Sequence, residues 1–209
     1  MSGSLVAYGA LATLVNAKVA MAAQPLTLLA LGDSLTAGYG LAPRDAFPVQ
    51  LEAALKAKGR AVRVVNAGVS GDTSAGGLAR LDWALADKPD AALVALGAND
   101  GLRGLDPARL EANLDAIVAK LQAAGVAVLL AGMEAPPNLG AEYTTAFRAA
   151  YVRVADRRQV PLYPFFLDGV AADPALNQRD GMHPSARGVA VMVGRILPRV
   201  ETLLDRVRP

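Results

Sequence analysis

Apolar and polar positions alternate along the chain in two rhythms. Short apolar runs occur at residues 27–31, 62–66, 92–96, 126–131 and 162–164. Between them lie longer stretches whose apolar residues recur at helical spacing, at 47–58, 73–86, 107–124, 142–158 and 184–207. Apolar runs of strand length separated by amphipathic helices are what a parallel sheet buried on both faces requires. The pattern predicts five strands and five helices. Signals at the joints agree: Asp106 stands as an N-cap before Pro107, and Gly125 closes the same helix ahead of the next strand. Right-handed crossovers then predict an α/β fold, a three-layer αβα sandwich of flavodoxin type with a five-stranded parallel sheet.

The long segment 165–182 breaks both rhythms. It is rich in Asp, Asn and Pro, so it is expected to be a surface loop that carries function. The first 23 residues also stand apart. Leu5 to Val15 is an apolar run, and Ala20-Met21-Ala22 places small residues as a signal peptidase reads them. We expect residues 1–23 to be an export leader, placing the protein in the periplasm or outside the cell, and residues 24–209 to form one domain. Met1 to Ser4 lacks the positive start of a standard leader, and an uncleaved N-terminal helix is the alternative. The run is too short to span a bilayer, so no stable membrane insertion is expected.

Composition narrows the chemistry. Hydrophobic residues make up 53% of the chain and charged residues 19%, which argues for a folded core and against disorder. The net charge of +2 comes without a basic stripe, so nucleic acid is not an expected partner. With no cysteine, thiol nucleophiles and thiolate metal sites are excluded. Histidine occurs once, so any step needing an imidazole must use His183, and no metal site with two histidines can form. Gly32-Asp33-Ser34-Leu35-Thr36 has neither P-loop nor dinucleotide-binding spacing, and no cofactor is expected.

The polar residues that remain sit where such a sheet binds ligands, beyond the carboxyl ends of its strands. Strand one ends in Gly32-Asp33-Ser34-Leu35, strand two in Asn66-Ala67-Gly68-Val69-Ser70-Gly71-Asp72-Thr73, and strand three in Gly97-Ala98-Asn99-Asp100. The loop after strand five ends in Asp180-Gly181-Met182-His183-Pro184. In order and spacing these four blocks resemble the SGNH (GDSL) hydrolase family, and within it the bacterial lysophospholipase, thioesterase and arylesterase group. The resemblance implies that Ser34 is the nucleophile and that Asp180 and His183 complete a triad. It also implies that Gly71 and Asn99, with the Ser34 backbone N–H, form the oxyanion hole.

These residue types suit that chemistry. A serine needs a base within about 2.6 to 3.2 Å to take its proton. A carboxylate three residues before the histidine can reach the other ring nitrogen. Pro184 suits the first position of a helix, which would set His183 at that helix's N-terminus. Ser70 is a rival nucleophile but lacks the second glycine of a nucleophile elbow. Asp33 and Asp100 are expected to hold loops through backbone N–H groups.

The resemblance further implies an acyl groove shaped by the loop after strand four, with Pro136, Pro137, Asn138, Leu139, Tyr143 and Phe147 as candidate lining. Plain helix packing is the equal alternative for Tyr143 and Phe147. The implied substrates are small-molecule carboxylic esters, aryl esters and esters of short to medium acyl chains, with thioesters and lysophospholipids included. A carbohydrate deacetylase and a catalytically silent binding module are the competing readings.

Overall fold

The computed structural model describes residues 25–207; the expected leader lies outside them. Five strands, β1 (Leu26–Gly32), β2 (Val62–Gly68), β3 (Ala91–Ala95), β4 (Ala127–Ala131) and β5 (Leu162–Tyr163), form one parallel sheet in the order β2-β1-β3-β4-β5. That is the flavodoxin-like order, whose ligand crevice lies at the β1/β3 reversal. Every residue of β3 is buried, as expected of a central strand covered on both faces.

Eight helices surround the sheet among the described residues: α1 (Ser34–Ala37), α2 (Phe47–Ala57), α3 (Ser74–Ala79), α4 (Leu81–Leu85), α5 (Ala98–Leu102), α6 (Pro107–Ala123), α7 (Ala141–Arg158) and α8 (Ala186–Leu204). α2 packs on α8 over one face; α6 packs on α3 and α7 over the other. None is long and apolar enough to cross a membrane.

Three features depart from the sequence expectation. The helix expected over 73–86 is two helices meeting at Arg80, which leaves helical geometry with φ −103° and ψ 6°. The Arg80 side chain is spent on polar anchors: Nε donates to Asp72 Oδ2 at 2.6 Å and Nη2 to the Gly32 carbonyl at 2.8 Å. α1 and α5 are single turns, too short for hydrophobic periodicity to reveal. The last helix begins at Ala186 and is capped by Ser185, whose Oγ accepts from Gly188 N–H at 3.2 Å. Pro184 instead pairs with Asn177 in an antiparallel bridge, so His183 lies ahead of the helix and not at its first turn. A serine satisfies an orphan N–H with its side chain, which proline cannot do.

Local choices at the sheet's carboxyl edge keep its loops close. Gly97, between β3 and α5, adopts φ +117°, and a Cβ there would lie 1.9 Å from the Tyr151 hydroxyl. That hydroxyl donates to the Leu96 carbonyl at 2.9 Å, so glycine at 97 lets α7 clamp the end of β3.

Candidate active site

The β1 to α1 turn presents Ser34. Asp33 caps α1, its Oδ1 accepting from Leu35 N–H at 3.0 Å, which leaves Ser34 as the first helical residue. The cap of this turn is thus Asp33, and the Ser34 hydroxyl is not used for capping.

Across the turn stands the segment 178–184. His183 Nε2 lies 3.0 Å from Ser34 Oγ, and His183 Nδ1 lies 2.7 Å from Asp180 Oδ2. Asp180 Oδ1 accepts from the backbone N–H groups of Met182 at 2.9 Å and His183 at 3.0 Å. The His183 N–H, then the Met182 N–H, then the imidazole hold the Asp180 carboxyl down at about 2, although it is exposed to solvent. A carboxylate ionised at every pH above that value accepts only. His183 Nδ1 therefore carries the hydrogen in this bond, which leaves Nε2 as the ring nitrogen that faces the Ser34 hydroxyl.

The β2 and β3 ends supply the opposite wall. Gly71 has φ +86°, open to glycine without strain, and its carbonyl accepts from Arg103 Nη2 at 2.9 Å. Asn99 Nδ2 donates to the Asp72 carbonyl at 2.8 Å, which fixes the amide and leaves its second N–H for another acceptor. Asp100, beside it, binds Ser74 N–H at 2.8 Å and Ser74 Oγ at 2.6 Å, with Asn113 Nδ2 donating to the same Oγ at 2.9 Å. Asp33 and Asp100 thus hold loops, as their types suggest.

Ser34, Gly71, Asn99 and His183 all border one cavity of about 360 Å³. Asp180 stands behind the imidazole, in bonding contact with it. Ser70 also borders the cavity, but among the described residues no imidazole other than His183 exists to serve it, and that ring is bonded to Ser34. The rest of the lining includes Leu102, Met133, Pro136, Leu167, Ala171 and Met182.

Of the six residues expected to form an acyl groove, only Pro136 borders the cavity. Pro137, Asn138 and Leu139 form a 3₁₀ turn outside it. Tyr143 donates its hydroxyl to the Leu105 carbonyl at 2.6 Å. Phe147 is fully buried, stacked on Tyr143 and edge-on to Tyr151, under the α5 turn that carries Asn99. Helix packing therefore accounts for Tyr143 and Phe147: their positions on α7 face α5, not the cavity.

The residues that line the cavity without having been singled out come mainly from the loop after β5 and the turn after α1, with Leu102 added by the end of α5 and Met133 and Glu134 by the loop after β4. Tyr39 is the most distinctive, its ring centroid 4.6 Å from that of His183. Its one sequence signal is an aromatic residue between Gly38 and Gly40 on the nucleophile's own loop.

The Asp33 carboxyl is 1% exposed, and its Oδ2 has no hydrogen-bond partner among the described residues. Burial pushes its pKa up to about 6, against the weaker opposing pull of the Leu35 N–H. A carboxyl raised in the folded state favours folding fully below its unfolded value of 3.8, and that contribution is lost as pH rises through about 6. The difference corresponds to about 3 kcal/mol. Between pH 4 and pH 6, stability measured by chemical denaturation is expected to change less favourably with rising pH in the wild type than in Asp33→Asn, by a difference of this order. An unchanged slope in the variant would assign the titration elsewhere.

Residues 30–191 match the model of the GDSL-like Lipase/Acylhydrolase family. The chain is 44% identical over 179 residues to Esterase TesA of Pseudomonas aeruginosa, covering 85% of this chain and 89% of that one. It is 44% identical over 160 residues to Thioesterase 1/protease 1/lysophospholipase L1 of Escherichia coli, covering 76% of each. Among solved structures, the psychrotrophic esterase EstA from Pseudoalteromonas sp., inhibited by monoethylphosphonate, superposes with a TM-score of 0.82 at 33% identity, covering 86% of this chain and 99% of that one.

Proposed function

The chain belongs to the GDSL-like lipase/acylhydrolase family, and from that membership we propose that it is a serine esterase hydrolysing carboxylic esters through an acyl-enzyme on Ser34. The observation that carries the reading is the unbroken row Asp180 Oδ2, His183, Ser34 Oγ, with gaps of 2.7 and 3.0 Å.

In this mechanism Nε2 takes the Ser34 proton as Oγ attacks the ester carbonyl, and Asp180 stabilises the imidazolium that forms. Charge on the carbonyl oxygen is met by the N–H groups of Ser34 and Gly71 and by the second N–H of Asn99. Collapse breaks the bond to the alcohol, whose oxygen receives the Nε2 proton. Water repeats the sequence on the acyl-enzyme, with His183 again as base. A phosphonate ester imitates the charged tetrahedral species, and the inhibition recorded for the Pseudoalteromonas esterase supports the same chemistry here.

The cavity's apolar lining suits short to medium acyl chains; thioesters and lysophospholipids are further substrates in view of the Escherichia coli relative's name. One preparation assayed on nitrophenyl acyl esters, acyl-CoA thioesters, lysophospholipids and acetylated sugars tests this. Turnover of the nitrophenyl esters without added cofactor is expected. Turnover confined to the acetylated sugars would replace this reading with a carbohydrate deacetylase.

A further inference from the structure

The catalytic cavity extends to both sides of Ser34, and the sheet order tells the sides apart. Met133 and Leu167 reach it from the ends of β4 and β5, on the far side of β3. Tyr39 and Ser70 reach it from the β1 and β2 side. An acyl chain fits among the aliphatic residues on the first side, so the alcohol portion is left to the second.

Proton delivery places that alcohol more closely. When the tetrahedral intermediate collapses, the bond from carbon to alcohol oxygen breaks, and the proton on His183 Nε2 passes to that oxygen. The oxygen must then stand within about 2.6 to 3.2 Å of Nε2. Tyr39 lies against this same ring, at 4.6 Å between centroids and a tilt of 39°. A group leaving from Nε2 therefore departs beside the Tyr39 ring, which is 53% exposed and borders the cavity.

The backbone that carries the ring is also held in place. Gln178 Nε2 donates to the Tyr39 carbonyl at 2.8 Å and to the Pro184 carbonyl at 3.0 Å, and Gln178 N–H donates to the His183 carbonyl at 2.7 Å. One residue thus ties the backbone of the aromatic turn to that of the histidine segment, so Tyr39 and the proton carrier are mounted on a common frame. Ser70 and Gly71, both small, leave room for a flat group on this side.

We propose that Tyr39 forms an alcohol-side subsite that takes planar aromatic leaving groups by stacking, favouring aryl over alkyl esters. The subsite rests on Ser34 and His183 acting as nucleophile and proton carrier. Aromatic pairs are worth enough to change a rate by roughly 3-fold to 10-fold.

The test compares phenyl acetate with trifluoroethyl acetate, which share the acetyl group, by kcat/KM in wild type, Tyr39→Phe and Tyr39→Leu. Tyr39→Phe keeps the ring and is expected to retain the aryl-to-alkyl ratio; Tyr39→Leu is expected to lower it by roughly 3-fold to 10-fold. Phenol is expected to compete with the acetate esters better than cyclohexanol does, and to lose that advantage in Tyr39→Leu. An unchanged ratio in Tyr39→Leu, or equal losses on both esters, overturns the subsite while leaving the catalytic reading intact. Retained hydrolysis in Ser34→Ala overturns that catalytic reading itself, whatever the Tyr39 variants show.

Discussion

Ser34→Ala is expected to lower kcat for nitrophenyl esters by about 10⁶-fold, with the fold and substrate affinity preserved. Two features make the substitution clean. The cap of α1 is supplied by Asp33, so removing the Ser34 hydroxyl costs the turn no hydrogen bond that holds it. Ser34 Oγ has His183 Nε2 as its only side-chain partner among the described residues, so its loss leaves one imidazole nitrogen facing the cavity, where water can satisfy it. Groups that act as a unit are not additive: His183→Ala should cost about as much, and the double variant little more than either. Steady-state kinetics with circular dichroism checks both halves. Activity within tenfold of wild type in Ser34→Ala would remove this hydroxyl from the reaction.

Asp180→Asn is expected to cost about 10⁴-fold in kcat while KM and the melting temperature change little. The two carboxylate oxygens divide their work. Oδ1 accepts two backbone N–H groups, and an asparagine oxygen can keep both bonds. Oδ2 accepts from His183 Nδ1 at 2.7 Å, and there an amide NH₂ would have to replace it. An NH₂ donates, so the ring must present a bare Nδ1 and carry its hydrogen on Nε2. That tautomer cannot take a proton from Ser34. Because the carboxyl titrates at about 2, the wild-type enzyme should show no acid limb from Asp180 anywhere above pH 3. The kcat profile of the two proteins checks this, and a loss below tenfold in the variant would mean that Asp180 serves the loop alone.

The parallel sheet was legible because buried strands and amphipathic helices leave different periods, and β1 to β4 fall within two residues of the apolar runs. The four loop blocks were legible for a related reason: a parallel sheet delivers every strand's carboxyl end to one rim, so residues as far apart as Ser34 and His183 share a cavity. What the pattern could not carry was direction at close range. Phe147 and Tyr143 follow the β4 loop in sequence, but one turn of α7 aims them under α5 instead of into the cavity. Pro184 has the residue type for a helix start, yet Ser185 is the better cap, and a two-residue difference moves His183 off the helix. Tyr39 was invisible to periodicity because its position depends on Gln178, a contact between residues 139 apart in the chain.

Labelling with a fluorophosphonate, followed by peptide mass spectrometry, tests the central claim most directly. The phosphorus centre reacts with a serine hydroxyl only where a base removes the proton and donors receive the developing charge. A single adduct on Ser34 is expected, formed more slowly when an ester substrate is present and nearly abolished in His183→Ala. An adduct on Ser70, or none on the folded protein, would contradict the account.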